Sequence, residues 1–312
     1  MKLDQIVKLL FKVSNPMIAH AVNGLFNENF DPGDVELNIS KTATEFSKNN
    51  LDMLRADMFL RFERRTQKRH FHIEYQLSAE SDFVMRVFDY GVQKAVEVRR
   101  EESGGKGKLT LPKAVVVHFE ESGGIPDQYA LEVEFPNGTT NEYTAGVVKY
   151  WTLSEQDLID RKLYILLPLQ VFLLRAKLEK ATKASDEGER QEAISEAMRT
   201  TERVRDAITN LHDESVLDVN DYDKLMIGLS ETFRHINERY SVNPRLSEEV
   251  EDMVKTFIDK KLLKKAENAE KNAKKEMAKK MLMKNRPMDE IIEFTELTER
   301  EIKNIEKQLN AN

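Results

Sequence analysis

Apolar residues in the first thirty positions recur at helical spacing: Ile6, Leu9 and Leu10, then Ile18, Ala21, Val22, Leu25 and Phe26. The pattern breaks at Asn15-Pro16 and stops at Asp31-Pro32-Gly33, which predicts two short helices. From Leu51 the period becomes two. Leu54, Ala56, Met58, Leu60 and Phe62 alternate with Arg55, Asp57 and Arg61, and in His70 to Leu77 the odd positions are apolar and the even ones polar. These runs predict an antiparallel pair joined by a six-residue loop over Glu63–Lys68. Ser81-Asp82 opens a helix through about Glu102, and Ala114 to Phe119 is a continuous β-rich run of the kind that is covered on both faces. Tyr129 to Phe135 and Asn141 to Lys149 predict a further hairpin around Pro136-Asn137-Gly138.

Beyond Ser154 only helical patterns remain, at Asp186–His212, Asn220–Tyr240, Ser247–Lys284, Met288–Phe294 and Thr298–Leu309. The order predicts an α/β (α+β) core over residues 1–175 and an all-helical C-terminal extension over 176–312. The most apolar stretch, Leu163 to Leu174, contains Pro168 and Gln170 and is far shorter than the ~20 residues that span a bilayer, so it predicts a buried helix and no membrane partner.

Composition narrows the chemistry. The net charge of -7, from 48 basic and 55 acidic residues, excludes a globally basic nucleic-acid binder, so contact with DNA needs a local patch. No cysteine is present, which excludes thiolate catalysis, zinc ribbons and disulfides and fits a reducing, cytoplasmic setting. No export signal is evident at the amino terminus.

Aligning the apolar sides of the antiparallel pair, Met58 with Ile73 and Leu60 with Phe71, sets Asp57 opposite Glu74. Two carboxylates about 5 Å apart at Cβ repel unless a proton or cation lies between them, and a hard divalent cation is the natural occupant. The bland alternative is a pair of solvated strand carboxylates. His72 shares the face of Glu74; exposed strand histidines are usually inert. Arg61, Arg64, Arg65, Lys68 and Arg69 crowd the hairpin tip and form either a phosphate rail or a solvated tip. Gly104 to Lys108 fails the phosphate-loop pattern, because Leu109 follows Lys108.

Asp57, the run Ile73-Glu74-Tyr75-Gln76, and Asp82 through Met85-Arg86 to Tyr90 resemble the PD-(D/E)XK nuclease superfamily. The likeness is to its Rpn-type, recombination-promoting or transposase-associated branch, whose second motif ends in Gln. It covers about Asn15 to Leu174, and Ala278 to Leu309 is similar to the carboxyl terminus of that branch. The resemblance implies a restriction-endonuclease-like mixed sheet flanked by helices and a DNA endonuclease dependent on Mg²⁺ (or Mn²⁺). In it Asp57 and Glu74 are metal ligands, Gln76 orients the attacking water, and Arg86 and Tyr90 serve phosphate or brace the site. Arg61, Arg64 and Arg65 join Arg86 as DNA-binding candidates. Ala56 stands where the superfamily has proline, and Gln76 lacks the charge of lysine, which weakens oxyanion stabilisation. Glu28 and Glu45 are candidates for a third acid, with Glu45 preferred. The alternative function is a degenerate nuclease fold that binds nucleic acid or protein, and the helices after Asp186 are a candidate surface for self-association.

Overall fold

The computed structural model describes residues 3–42, 45–48, 52–55, 58–77, 82–101, 108–183, 187–240, 252, 274–284, 286–295 and 297–310. Two compact units divide at Val250/Glu251.

In the first unit, α1 (Leu3–Leu10) and α2 (Asn15–Phe26) lead into the sheet. Pro16 falls in the first turn of α2, where its missing N–H costs nothing, and Asn27 closes the helix in the left-handed region at φ 52°, its N–H donating to the Asn23 carbonyl. Eight strands follow in part: β1 (Leu37–Thr42), β2 (Glu45–Lys48), β3 (Asp52–Arg55), β4 (Met58–Arg64) and β5 (Gln67–Gln76), then after α3 (Phe83–Glu101) come β6 (Lys113–His118), β7 (Gln128–Glu134) and β8 (Thr140–Lys149). Six of them form one mixed sheet in the order β1-β4-β5-β6-β8-β7, while β2 and β3 pair separately. β1, β4 and β5 are antiparallel neighbours, β5–β6 and β6–β8 are parallel, and β7 returns antiparallel to β8. A parallel neighbour needs a crossover, which α3 supplies between β5 and β6.

The sheet is covered on both faces. Phe83 and Val87 of α3 pack on Ala114, Val116 and Ala145, with Tyr129 and Tyr143 beside them. Opposite, Phe26 of α2 meets Phe71, and Phe119, just after β6, meets Tyr150 and Phe172. Strand residues alternate between these faces, so odd positions of β5 face α2 and even positions face α3.

Three sequence expectations are corrected. The six-residue loop over Glu63–Lys68 is strand to its tip: Arg64 pairs with Gln67, and Arg65, at φ 54°, makes the turn with Thr66. Charged residues on a solvated hairpin end carry no apolar alternation, so they read as loop. The strand expected over Leu51–Phe62 is two strands, β3 and β4, with residues 56–57 outside the described part. The buried helix expected at Leu163 to Leu174 is a run of 3-10 turns, Tyr164–Leu174, whose interior Pro168 has no N–H for an α-helical ladder. Gln170 donates to the Leu153 carbonyl at 2.9 Å and Tyr150 to the Leu166 carbonyl at 2.8 Å, tying the run to the sheet.

After α4 (Glu155–Asp160), opened by a Ser154/Asp157 capping box, this buried run is the hub for α5 (Arg175–Lys183), α6 (Glu187–Asp213) and α7 (Val219–Tyr240), and α7 also packs on α1. No strand is described beyond Lys149. Gly24 marks a tight crossing: a Cβ there would lie 2.4 Å from the Arg161 carbonyl oxygen and 2.8 Å from Leu163 Cδ2. Because the nearest atom is backbone, Gly24→Ala is expected to destabilise this unit by about 2 kcal/mol. Chemical denaturation checks it, and an unchanged midpoint contradicts the tight crossing.

In the second unit the helical residues 274–283, α8 (Met288–Thr295) and α9 (Glu299–Asn310) enclose Ala278, Ile291, Leu297, Ile302 and Ile305. Thr298 caps α9: its hydroxyl accepts from the Glu301 N–H, and the Glu301 carboxylate accepts from the Thr298 N–H at 3.0 Å. Most of the helix expected over Ser247–Lys284 lies outside the described residues.

Candidate functional site

The β4–β5 register fixes the site. Met58 pairs with Ile73 and Leu60 with Phe71, as the apolar sides require. Asp57, the chain neighbour of Met58, lies outside the described residues.

Glu74 is only 3% exposed, beneath α3, on the strand where antiparallel pairing with β4 meets parallel pairing with β6. The solvated alternative therefore does not hold for it. His72, two residues earlier on the same face and fully buried, has Nε2 2.8 Å from Glu74 Oε1. Its ring stacks on Phe59 at 4.3 Å and meets the edge of Tyr90 at 6.0 Å. A buried carboxylate persists when a hydrogen-bonding partner offsets its lost hydration, and His72 fills that role. Lys94, 2% exposed, continues the cluster on α3, with Nζ 3.0 Å from Glu97 and 5.9 Å from the centre of the Phe59 ring.

Three residues of this face carry no obvious sequence signal. His118 is the parallel-ladder partner of Gln76, fully buried, with Nε2 3.0 Å from the Tyr129 hydroxyl. It closes the apolar run Ala114–Val117, and a polar residue ending a buried run is the one clue available. Tyr143 on β8 buries its hydroxyl without a hydrogen-bond partner among the described residues. Burial first, and then the negative charge of Glu74, push this phenol from its ordinary 10.0 up to about 12. Between those values the folded protein keeps a proton that the unfolded chain has released, so stability falls as pH rises through that window. Ultraviolet titration should show Tyr143→Phe removing a late-ionising phenol and Glu74→Gln bringing the Tyr143 transition to lower pH. An unmoved transition in Glu74→Gln contradicts the proximity of the two groups.

The remaining expected residues separate. Gln76 is half-buried, and its carbonyl accepts the Phe119 N–H at 2.9 Å. Arg61 lies on the α3 face and donates to Glu63 at 2.7 Å, whereas Arg64 lies on the α2 face against Asp34 at 2.6 Å. Arg65 at the turn binds Glu36 at 2.8 Å, and Arg86 sits 4.6 Å over the Phe83 ring. Strand alternation thus divides the tip cations between two faces. Glu28 is on the α2 face, paired with Arg69 and with Lys113, so the sheet separates it from Glu74. Glu45 has its backbone paired with Arg55 in the β2–β3 hairpin, and its side chain lies outside the described residues.

Among the described residues no three His, Asp or Glu side chains converge as a metal site. Glu74 and His72 alone supply fewer donors than a hard cation takes from protein, and a second carboxylate is needed to complete the set. No described helix is long and apolar enough to cross a membrane. No family model, curated protein or solved structure matches the chain.

Proposed function

We propose that this protein is a metal-dependent DNA endonuclease of low sequence specificity, of the PD-(D/E)XK type associated with recombination or transposition. The observation that supports the reading is the carboxylate of Glu74, held by His72 under α3 on a strand whose neighbour places Met58 opposite Ile73. The strand alternation of the sequence puts Asp57, which lies outside the described residues, on the face of Glu74, and such a pair of carboxylates is what a divalent cation requires. Mg²⁺ bound there would supply charge neutralisation at a scissile phosphodiester and a more acidic water. The chain's own residues then divide the work. Glu74 and Asp57 would hold the ion, His72 fixes the orientation of the Glu74 carboxylate, and the Gln76 amide would orient water without adding charge. α3 excludes bulk solvent from the carboxylate, which strengthens every charge interaction at the site.

Nicking of supercoiled plasmid tests the reading: open circles should accumulate with Mg²⁺ or Mn²⁺ and not with a chelator present. Plasmid that stays supercoiled under every metal condition removes the nuclease assignment. A second reading, a non-catalytic binding module on the same fold, is favoured by the uncharged Gln76. It is distinguished by retention of DNA without cleavage.

A further inference from the structure

On the α2 face of the hairpin, the cations and the loop that follows α2 meet in a groove. Arg64 pairs with Asp34, Arg65 with Glu36, and Arg69 and Lys113 both with Glu28, so three carboxylates from residues 28–36 hold four cations. The burial is asymmetric. Glu28 and Asp34 are 11% and 14% exposed, while Arg64 and Arg69 are each 57% exposed. Glu28 and Asp34 therefore lie behind the more exposed Arg69 and Arg64, while Arg65 and Glu36 are both exposed.

The loop is built to hold this arrangement. The Asn23 side chain brackets Phe30, accepting its N–H and donating to its carbonyl, both at 2.8 Å. The Phe30 ring then packs on Phe62 at 4.6 Å, with the Arg69 guanidinium 5.7 Å from its centroid. Asp34 accepts the Glu36 N–H at 2.9 Å through one oxygen and binds Arg64 through the other. Between loop and hairpin is a cavity of about 280 Å³ lined by Glu28, Phe30, Phe62, Arg64, Gln67 and Arg69. A carboxylate bound to a guanidinium presents the oxygens that a phosphate would present.

We propose that this groove is a docking surface for the phosphates of a single nucleic-acid strand, and that Glu28, Asp34 and Glu36 are internal phosphate surrogates that hold its arginines and offset their charge until the strand displaces them. The inference rests on the nucleic-acid reading above and adds its regulation: affinity is set by an intramolecular competitor, not by the number of arginines alone. Charge complementarity selects a polyanion. Four cations against three carboxylates leave these ion pairs net positive, and an apolar peptide would leave the guanidiniums without an anionic partner.

The test is fluorescence anisotropy of a labelled single-stranded oligodeoxynucleotide with the full chain in chelator, so that binding is read without cleavage. Asp34→Asn/Glu36→Gln should bind about fivefold or more tighter than wild type, with log Kd against log salt steeper by about 1.4, because two released arginines each engage a phosphate. Asp31→Asn, which removes a charge from the same loop at the carboxylate that accepts the Gly33 N–H, should change affinity by less than about twofold and leave the slope unchanged. Adding Arg64→Ala/Arg65→Ala to the Asp34→Asn/Glu36→Gln variant should abolish the gain. Glu36→Gln alone, at a pair exposed on both sides, keeps the test valid if the double variant misfolds, with a slope change of about 0.7 expected. Equal tightening by Asp31→Asn, or an unchanged slope in the paired variants, overturns the latch and leaves the nucleic-acid reading standing. Absence of binding by every protein overturns both.

Discussion

Glu74→Ala is expected to lower the rate of Mg²⁺-dependent plasmid nicking by about a hundredfold or more while leaving the protein folded. The residue is central to the proposed chemistry, and removing one preorganised electrostatic group of this kind costs about 10²–10³ in rate. The effect should be separable from stability. Glu74 is 3% exposed and bonded to His72, so Ala leaves a small cavity and an imidazole without its carboxylate. Glu74→Gln keeps the volume and a hydrogen bond to His72 but not the charge. Loss of cleavage in Glu74→Gln, with an unchanged unfolding midpoint, assigns the effect to metal-binding charge. Cleavage at the wild-type rate in Glu74→Gln removes Glu74 from the reaction.

The second large effect is on stability and lies far from that site. Asp221 of α7 is 2% exposed and accepts the Ser14 N–H at 2.7 Å and the Ser14 hydroxyl at 2.5 Å. Ser14 precedes α2, so a carboxylate more than two hundred residues away in sequence satisfies a donor at the start of the helix that covers the sheet. It also places negative charge at the positive end of the α2 dipole. Asp221→Ala leaves two half-buried donors without their acceptor, which costs about 2 kcal/mol and lowers Tm by roughly 6 °C for a unit of this size. Asp221→Asn retains one acceptor oxygen and should recover about half. Equal midpoints for wild type and Asp221→Ala in calorimetry contradict this account of how α7 is joined to α2.

The β4–β5 register was legible because Met58, Leu60, Phe71 and Ile73 are strongly apolar and their alternate neighbours, Phe59 excepted, are polar, which leaves one parity. The same alternation misled about environment. His72 and Glu74 read as an open polar face, yet α3 lies over them, because one strand's pattern reports which residues share a face and not what covers it. β1 escaped notice for a related reason: in Leu37–Thr42 only Leu37 and Ile39 are apolar, and an edge strand needs no more. His118, Tyr129 and Tyr143 were illegible as part of the cluster because three different strands bring them together. The extension beyond residue 175 was read correctly as helical to Tyr240, but its attachment through Asp221 to Ser14 depends on a contact between opposite ends of the unit that no local pattern carries.

The central claim is that Asp57 and Glu74 share one divalent cation, and crystals soaked in Mn²⁺ test it most directly. The account predicts an anomalous density peak within direct coordination distance of one oxygen from each carboxylate, the remaining positions filled by oxygen ligands. A peak absent from Glu74, or one that Asp57 does not reach, contradicts it.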